Sequence, residues 1–121
     1  MHELSIVQSL LQGLAQESAQ FGPGRISEIH LQVGAASGVS LEALQFAFEA
    51  VSPHSLAAGA VLQIDLVPLI IQCTTCKHQQ QMDQLSLVCP ACGGPANLIS
   101  GRELLIKRYT FEDDDSPQNQ L

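Results

Sequence analysis

The beginning of the chain has the hydrophobic pattern of an amphipathic helix. Its apolar positions recur every three or four residues, at Leu4, Val7, Leu11 and Leu14. Two glycines and a proline at residues 22–24 should end this helix near Phe21. A strict alternation follows, with polar residues between Ile29, Leu31 and Val33. This period of two predicts a half-buried strand.

Both patterns occur again further along the chain. A second helix is predicted to begin after Ser40, whose hydroxyl can cap it, and to end at Ser52-Pro53. Strands are predicted at about residues 61–67 and from Arg102 to Phe111, the latter apolar on both faces around Leu104 and Leu105. Together these elements predict an α+β fold in which two helices pack on a three-stranded mixed sheet.

A cysteine-rich segment interrupts this fold between its second and third strands. We therefore predict a discontinuous α+β domain, residues 1–68 plus 98–112, with a small inserted domain at residues 69–97. The acidic and polar segment 113–121 has little to bury, so we predict a disordered tail there.

Composition and charge narrow the classes of function. The 121 residues are 45% hydrophobic, which suits a packed core, and five Lys+Arg against twelve Asp+Glu give a net charge of −7. That balance argues against nucleic acid and anionic membranes as partners, because both are bound through cationic side chains. The first ten residues contain no Lys or Arg, unlike a signal peptide, and no apolar run is long enough to span a bilayer. We expect a soluble cytoplasmic protein.

The four cysteines form two C-x-x-C pairs. Cys73 and Cys76 are separated by twelve residues from Cys89 and Cys92. Each pair can direct two sulfurs at one ion, and two pairs complete the tetrahedron that Zn²⁺ prefers at closed structural sites. Disulfides are disfavoured in a reducing compartment, whereas an iron site with four sulfurs stays open as an alternative. A closed site of this kind is structural, because it leaves no position for a substrate.

A second metal-binding possibility lies in the first three residues. The amino group of Met1, the backbone nitrogen and imidazole of His2, and the backbone nitrogen of Glu3 can form fused chelate rings. Nitrogen donors of this kind suit square-planar Ni(II) or Cu(II). By itself the triplet is equally well explained as the acidic first turn of a helix. His30 on the polar face of its strand and His54 after Pro53 are expected to be exposed.

Several motifs together resemble one family. The chain opens Met1-His2-Glu3-Leu4-Ser5, has Phe46-Ala47-Phe48-Glu49 in the second helix, and continues Cys89-Pro90-Ala91-Cys92-Gly93-Gly94 into Gly101-Arg102-Glu103-Leu104. This combination resembles the HypA/HybF family of hydrogenase and urease nickel-incorporation proteins, over about residues 1–112.

The resemblance implies a nickel metallochaperone for [NiFe] hydrogenase maturation, with urease as a further client in some bacteria. It implies transient Ni(II) held by His2, the Met1 amino group and the backbone nitrogen of Glu3, and structural Zn(II) on Cys73, Cys76, Cys89 and Cys92. The implied partners are a HypB-type GTPase and the hydrogenase large-subunit precursor. Some members place an Asp just before the second helix, where this chain has Ser40.

Two other classes compete with this interpretation. One is a zinc-ribbon interaction module with no nickel role, for which the nearest thing to a basic cluster is Arg102, Lys107 and Arg108. The other is a small enzyme, but the sequence contains no recognisable pairing of nucleophile and base and no phosphate-binding glycine loop. We predict a chaperone rather than an enzyme, as a monomer or weak homodimer.

Overall fold

The computed structural model describes residues 2–114. Its helices are α1 (His2–Ser18) and α2 (Leu41–Val51), each followed by one 3₁₀ turn, Ala19–Phe21 and Ser52–His54. Its strands are β1 (Gly24–Gly34), β2 (Val61–Val67), β3 (Ile70–Cys73), β4 (Gln79–Gln81), β5 (Ala96–Ser100) and β6 (Leu104–Asp113). No helix within residues 2–114 is long and apolar enough to cross a membrane.

Local sequence accounts for both helices. The apolar stripe of α1 buries Val7, Leu11 and Leu14, as its spacing predicts. The helix gives way to the 3₁₀ turn and then to Gly22, whose φ of +84° is costly for other residues. At the start of α2 the Ser40 hydroxyl accepts a hydrogen bond from the Ala43 N–H at 3.2 Å. Ser40 is therefore the N-cap that the sequence predicts.

The first sheet has the strand order β2-β1-β6 and is mixed. At one end of β1 a Cβ on Gly24 would lie 2.4 Å from the Glu112 carbonyl, and at the other end the Gly34 N–H donates to the Glu103 carbonyl. These contacts make β6 antiparallel to β1. Just beyond the end of β1, the Ala35 N–H donates to the carbonyl of Val67, the last residue of β2. Near the start of β1, the Ile26 N–H donates to the carbonyl of Leu56, which precedes β2. This pairing makes β2 parallel to β1.

The second sheet has the order β4-β3-β5 and is antiparallel throughout. Cys73 at the end of β3 pairs with Ala96, and Gln72 pairs with both Gln79 and Asn97. This small sheet carries the chain into and out of the cysteine turns. The predicted fold class is confirmed: two helices and a three-stranded mixed sheet, with an inserted cysteine-containing module.

The chain divides into two compact units by its internal contacts. Of the described residues, one unit comprises 2–31, 39–63 and 106–114, and the other comprises 32–38 and 64–105. The core of the first includes Leu14, Ile29 and Leu44, and that of the second Leu69 and Ile71. The second unit includes all of β5 and residues 32–38, where the Ala36 N–H donates to the Gly101 carbonyl. The predicted domain limits, residues 1–68 plus 98–112 and residues 69–97, stay a prediction.

Two details at the ends of elements differ from expectation. Asp113 is the last residue of β6, and Asp114 lies in a turn whose N–H donates to Pro23. The strand therefore extends into the predicted tail, and residues 115–121 of that tail lie outside the described residues. Leu66 in β2 and Leu105 in β6 are 57% and 46% exposed, although both lie in strands with apolar patterns.

Candidate metal centre

The second unit brings its four cysteine sulfurs together. Among residues 2–114 this is the one group of three or more potential metal ligands, and its sulfur atoms lie within 4.8 Å of one another. The Cys73 and Cys92 sulfurs are 3.5 Å apart, and those of Cys76 and Cys89 are 3.7 Å apart. Each close pair takes one sulfur from each C-x-x-C motif, so both motifs contribute to one site.

Two tight turns point these sulfurs inward. In the first, the Cys73 N–H donates to the His78 carbonyl, and Lys77 takes a left-handed φ of 64°. In the second, the Cys89 N–H donates to the Gly94 carbonyl, while Gly93 has a φ of +77° that glycine adopts without strain. Both the N–H and the hydroxyl of Thr74 donate to the Pro95 carbonyl at 3.0 Å, which fixes one turn against the other.

Backbone N–H groups surround the sulfurs. Three backbone nitrogens each lie 3.4 Å from one sulfur: that of Cys76 from Cys73, that of Ala91 from Cys89, and that of Gly94 from Cys92. Hydrogen bonds of this kind stabilise thiolate over thiol. A side chain on Gly94 would crowd them, because its Cβ would lie 3.0 Å from the Thr75 hydroxyl and 3.3 Å from the Cys92 sulfur.

The electrostatics of the cluster are uneven. The Thr75 hydroxyl lies 3.1 Å from the Cys73 sulfur and, with the Cys76 N–H, lowers the pKa of Cys73 to about 5. The N–H of His78 acts to lower the pKa of Cys76, but neighbouring sulfurs, that of Cys73 foremost, and burial raise it to about 11. Four sulfurs this close resist ionising together unless a cation lies among them.

These distances fit a tetrahedral ion. Zinc–sulfur bonds of about 2.3 Å place the corners of the tetrahedron about 3.8 Å apart. The two close sulfur pairs, at 3.5 and 3.7 Å, are near that edge length. Cys73 and Cys89 are buried whereas Cys76 and Cys92 are exposed, so the site lies at the surface of its unit with two ligands inside. The donor set therefore suits a closed structural site.

His2 and Glu3 of the amino-terminal triplet lie in the first unit, and Met1 lies outside the described residues. The His2 side chain is 65% exposed at the start of α1, and its Nε2 lies 3.3 Å from a Glu3 carboxylate oxygen. That same oxygen accepts a hydrogen bond from the Ser40 N–H at 3.1 Å. This bond, with the triplet's own backbone and His2, lowers the pKa of Glu3. The Glu3 side chain thus anchors the first turn of α1 to the start of α2.

The side chains of the other three histidines are not part of the four-cysteine group. His54 and His78 are exposed, and the His78 ring is within 3.0 Å of the Gln80 side chain. The expectation that His30 is exposed is wrong: its side chain is 16% exposed and bonded to Glu28. The reason is that β1 is the central strand of its sheet, so neighbouring strands flank both of its edges.

Sequence reasoning missed Thr75 and the Ser40 backbone. A hydroxyl inside a C-x-x-C motif is a usable signal, because the turn places it beside the first sulfur. The Glu3 to Ser40 bond joins residues 37 positions apart, so no local pattern could have indicated it.

Known proteins share the sequence pattern of this chain over most of its length. A family model described as hydrogenase/urease nickel incorporation, metallochaperone HypA, matches residues 1–111. The chain belongs to the HypA family. The hydrogenase maturation factor HypA of Syntrophus aciditrophicus is 39% identical over 84% of this chain and 89% of its own length. That of Roseiflexus is 35% identical over 94% of both chains.

Solved structures support the same fold. The solution structure of the nickel metallochaperone HypA from Helicobacter pylori aligns with a TM-score of 0.63 at 23% identity, over 88% of this chain and 94% of that one. As a HypA family member this chain is a metallochaperone-type maturation factor with a four-cysteine cluster, and not an enzyme.

Proposed function

We propose that this HypA family chain captures Ni(II) at its amino terminus and delivers it during maturation of [NiFe] hydrogenase. The nickel donors are the Met1 amino group, the backbone nitrogen and imidazole of His2, and the backbone nitrogen of Glu3. The observation that carries the proposal is the family match over residues 1–111. Because that family's description also names urease, urease is proposed as a second client.

The surroundings of His2 and Glu3 support this donor set. The imidazole of His2 is 65% exposed, so an incoming ion can reach it. The first N–H groups of a helix have no intrahelical acceptor, and the helix dipole favours negative charge there, so amide deprotonation is helped at these positions. In the proposal Glu3 donates through its backbone nitrogen, while its carboxylate accepts a hydrogen bond from the Ser40 N–H and holds this turn against the start of α2.

In the proposal zinc is retained by the protein, whereas nickel is delivered. Zn(II) is held by Cys73, Cys76, Cys89 and Cys92 and stays with the protein, because the four-sulfur site has no vacant position for exchange. It supplies folding free energy to turns that bury little apolar surface of their own. The ion delivered to a client is then the one at the amino terminus, whose donors all belong to three terminal residues and are less constrained against ligand exchange.

Delivery requires partners. We propose a HypB-type GTPase and the hydrogenase large-subunit precursor, as the family resemblance implies. Selection of nickel has to come from such partners and from metal supply, since nitrogen donors intrinsically bind Cu(II) more tightly than Ni(II).

Metal stoichiometry on untagged full-length protein tests the nickel site. Wild type should bind one Ni(II) per chain beyond its zinc, whereas His2→Ala and a form extended by two residues before Met1 should lose that nickel. His54→Ala removes an exposed histidine of the same unit and should bind nickel as wild type does. Zinc content should be equal in all four proteins. Undiminished nickel binding by both the His2 variant and the extended form would overturn the assignment.

A further inference from the structure

A groove of about 560 Å³ lies beside the amino-terminal turn, within the first unit. Its apolar lining comes from Leu4 of α1 and from Ala43, Phe46 and Ala47 on one face of α2, and its charged lining is Glu3 and Glu42. The short alanine side chains leave room next to the larger phenylalanine. Glu3 belongs to the proposed nickel site, so the groove adjoins that site directly.

Phe46 is the unusual residue in this groove. Its side chain is 69% exposed, whereas Phe48, two positions along the same helix, is 3% exposed. An aromatic side chain left in water forgoes the burial that would otherwise stabilise the fold. Exposed aromatics next to apolar depressions are typical anchor points of protein interfaces.

The charges of the groove indicate what occupies it. Both charged residues in its described lining are glutamates, in a chain whose net charge is −7. A second copy in a symmetric dimer would bring the same carboxylates to the interface from both sides, which is unfavourable. An apolar segment flanked by Lys or Arg is complementary in both shape and charge.

We propose that this groove docks such a segment of the protein that receives nickel, here the hydrogenase large-subunit precursor. Bound there, the acceptor lies next to the ion held by the amino-terminal triplet, and the ion has only a short distance to travel. The inference rests on the proposed function for the identity of the acceptor, but the docking itself requires no nickel.

Affinity of the full-length chain for purified large-subunit precursor, measured by titration calorimetry without nickel, tests the groove. Phe46→Ala should weaken binding about tenfold or more, as loss of an interface anchor does, whereas Phe46→Leu should keep most of the affinity. Leu66→Ala, which trims another exposed apolar side chain (57% exposed), should change nothing. Glu42→Lys should weaken binding at low salt and much less at high salt, while Glu49→Lys, on α2 outside this groove, should not.

Nickel stoichiometry and thermal unfolding, measured on the same variants, separate this inference from the proposed function. Phe46→Ala should bind nickel and unfold as wild type does, because its side chain is exposed and is not a ligand. Docking that is lost without any change in nickel binding supports the groove. Wild-type affinity in both Phe46→Ala and Glu42→Lys would overturn it. So would an effect confined to the GTPase, or to self-association of the chain in sedimentation experiments. Absence of nickel binding in the wild type, with docking intact, would instead overturn the proposed function alone.

Discussion

The cysteine cluster and the amino-terminal turn would hold metal in opposite ways. In the cluster, two turns bonded to each other direct four sulfurs to one place, and backbone N–H groups surround those sulfurs. At the amino terminus, a single exposed imidazole lies on the first turn of α1, which one bond from Glu3 to Ser40 anchors. Donors fixed by many contacts favour permanence, whereas donors in a few terminal residues favour exchange. The contrast suits a protein that keeps one ion and gives another away.

The largest expected effect comes from breaking the cysteine cluster. Cys92→Ala should abolish zinc retention and hydrogen-exchange protection in β3 to β5, because binding free energies of about 10–16 kcal/mol for structural zinc act as folding energy. The far-ultraviolet signal of α1 and α2 should persist, and nickel should still bind. Gln84→Ala, an exposed change in the same segment, is the control. Simultaneous loss of the helical signal would show that the two regions do not fold independently.

The opposite experiment disturbs the first unit, which contains α1 and α2, by removing a core side chain. Leu14 is 1% exposed, so Leu14→Ala should lower the free energy of unfolding of that unit by about 2–5 kcal/mol. Urea titration followed by circular dichroism measures this, with exposed Gln12→Ala expected within about 0.5 kcal/mol of wild type. Zinc content should stay at one per chain. Release of zinc at the same urea concentration as the loss of helical signal would contradict independent unfolding of the two units.

Alanine substitutions at two glycines, Gly34 and Gly13, test whether residues 32–38 pack closely in the cysteine-containing unit. A Cβ on Gly34 would lie 2.1 Å from the Gly101 carbonyl. Gly34→Ala should therefore lower the free energy of unfolding by about 1–3 kcal/mol or more. Gly13, within α1, has nothing within 4 Å of its Cβ position. Gly13→Ala should therefore raise stability by about 0.5–1 kcal/mol. Thermal unfolding of Gly34→Ala at or above the wild-type temperature would show that the close approach at Gly34 is absent in solution.

The smallest effect concerns the anchor of the amino-terminal turn. The Ser40 N–H lowers the pKa of Glu3. A lowered folded-state pKa means that the ionised group stabilises the fold above its ordinary pKa, and that this stability is lost as pH falls through the folded value. Glu3→Gln should therefore lower the melting temperature slightly near neutral pH, and the difference from wild type should vanish in acid.

Glu49→Gln, at an exposed position on α2, provides the control for that anchor. The control should show no comparable pH-dependent difference. A constant gap between wild type and Glu3→Gln at every pH would mean that the Glu3 carboxylate does not act through its charge.

Much of the fold followed from the residues alone, and the exceptions share a cause. The stripe of α1 and the Ser40 cap were predictable because each depends on neighbours a few positions apart. The four-cysteine set was predictable because two C-x-x-C motifs only twelve residues apart are typical of one metal site. The exposure of Leu66 and Leu105 was not, because an apolar strand pattern does not say what covers each face. The partial burial of His30 depended likewise on the position of β1 at the centre of its sheet.

For this protein the sequence by itself determined the two helices, three of the six strands in residues 2–114 and the four cysteines that belong together, since hydrophobic periodicity and C-x-x-C spacing are local patterns. It did not indicate the short strands β3, β4 and β5. Only the tertiary structure decided that Gly101 lies against Gly34, that Glu3 reaches the N–H of Ser40, and that Phe46 stays exposed in the groove that Glu3 also lines. Those outcomes depend on how distant segments pack, which no local pattern encodes.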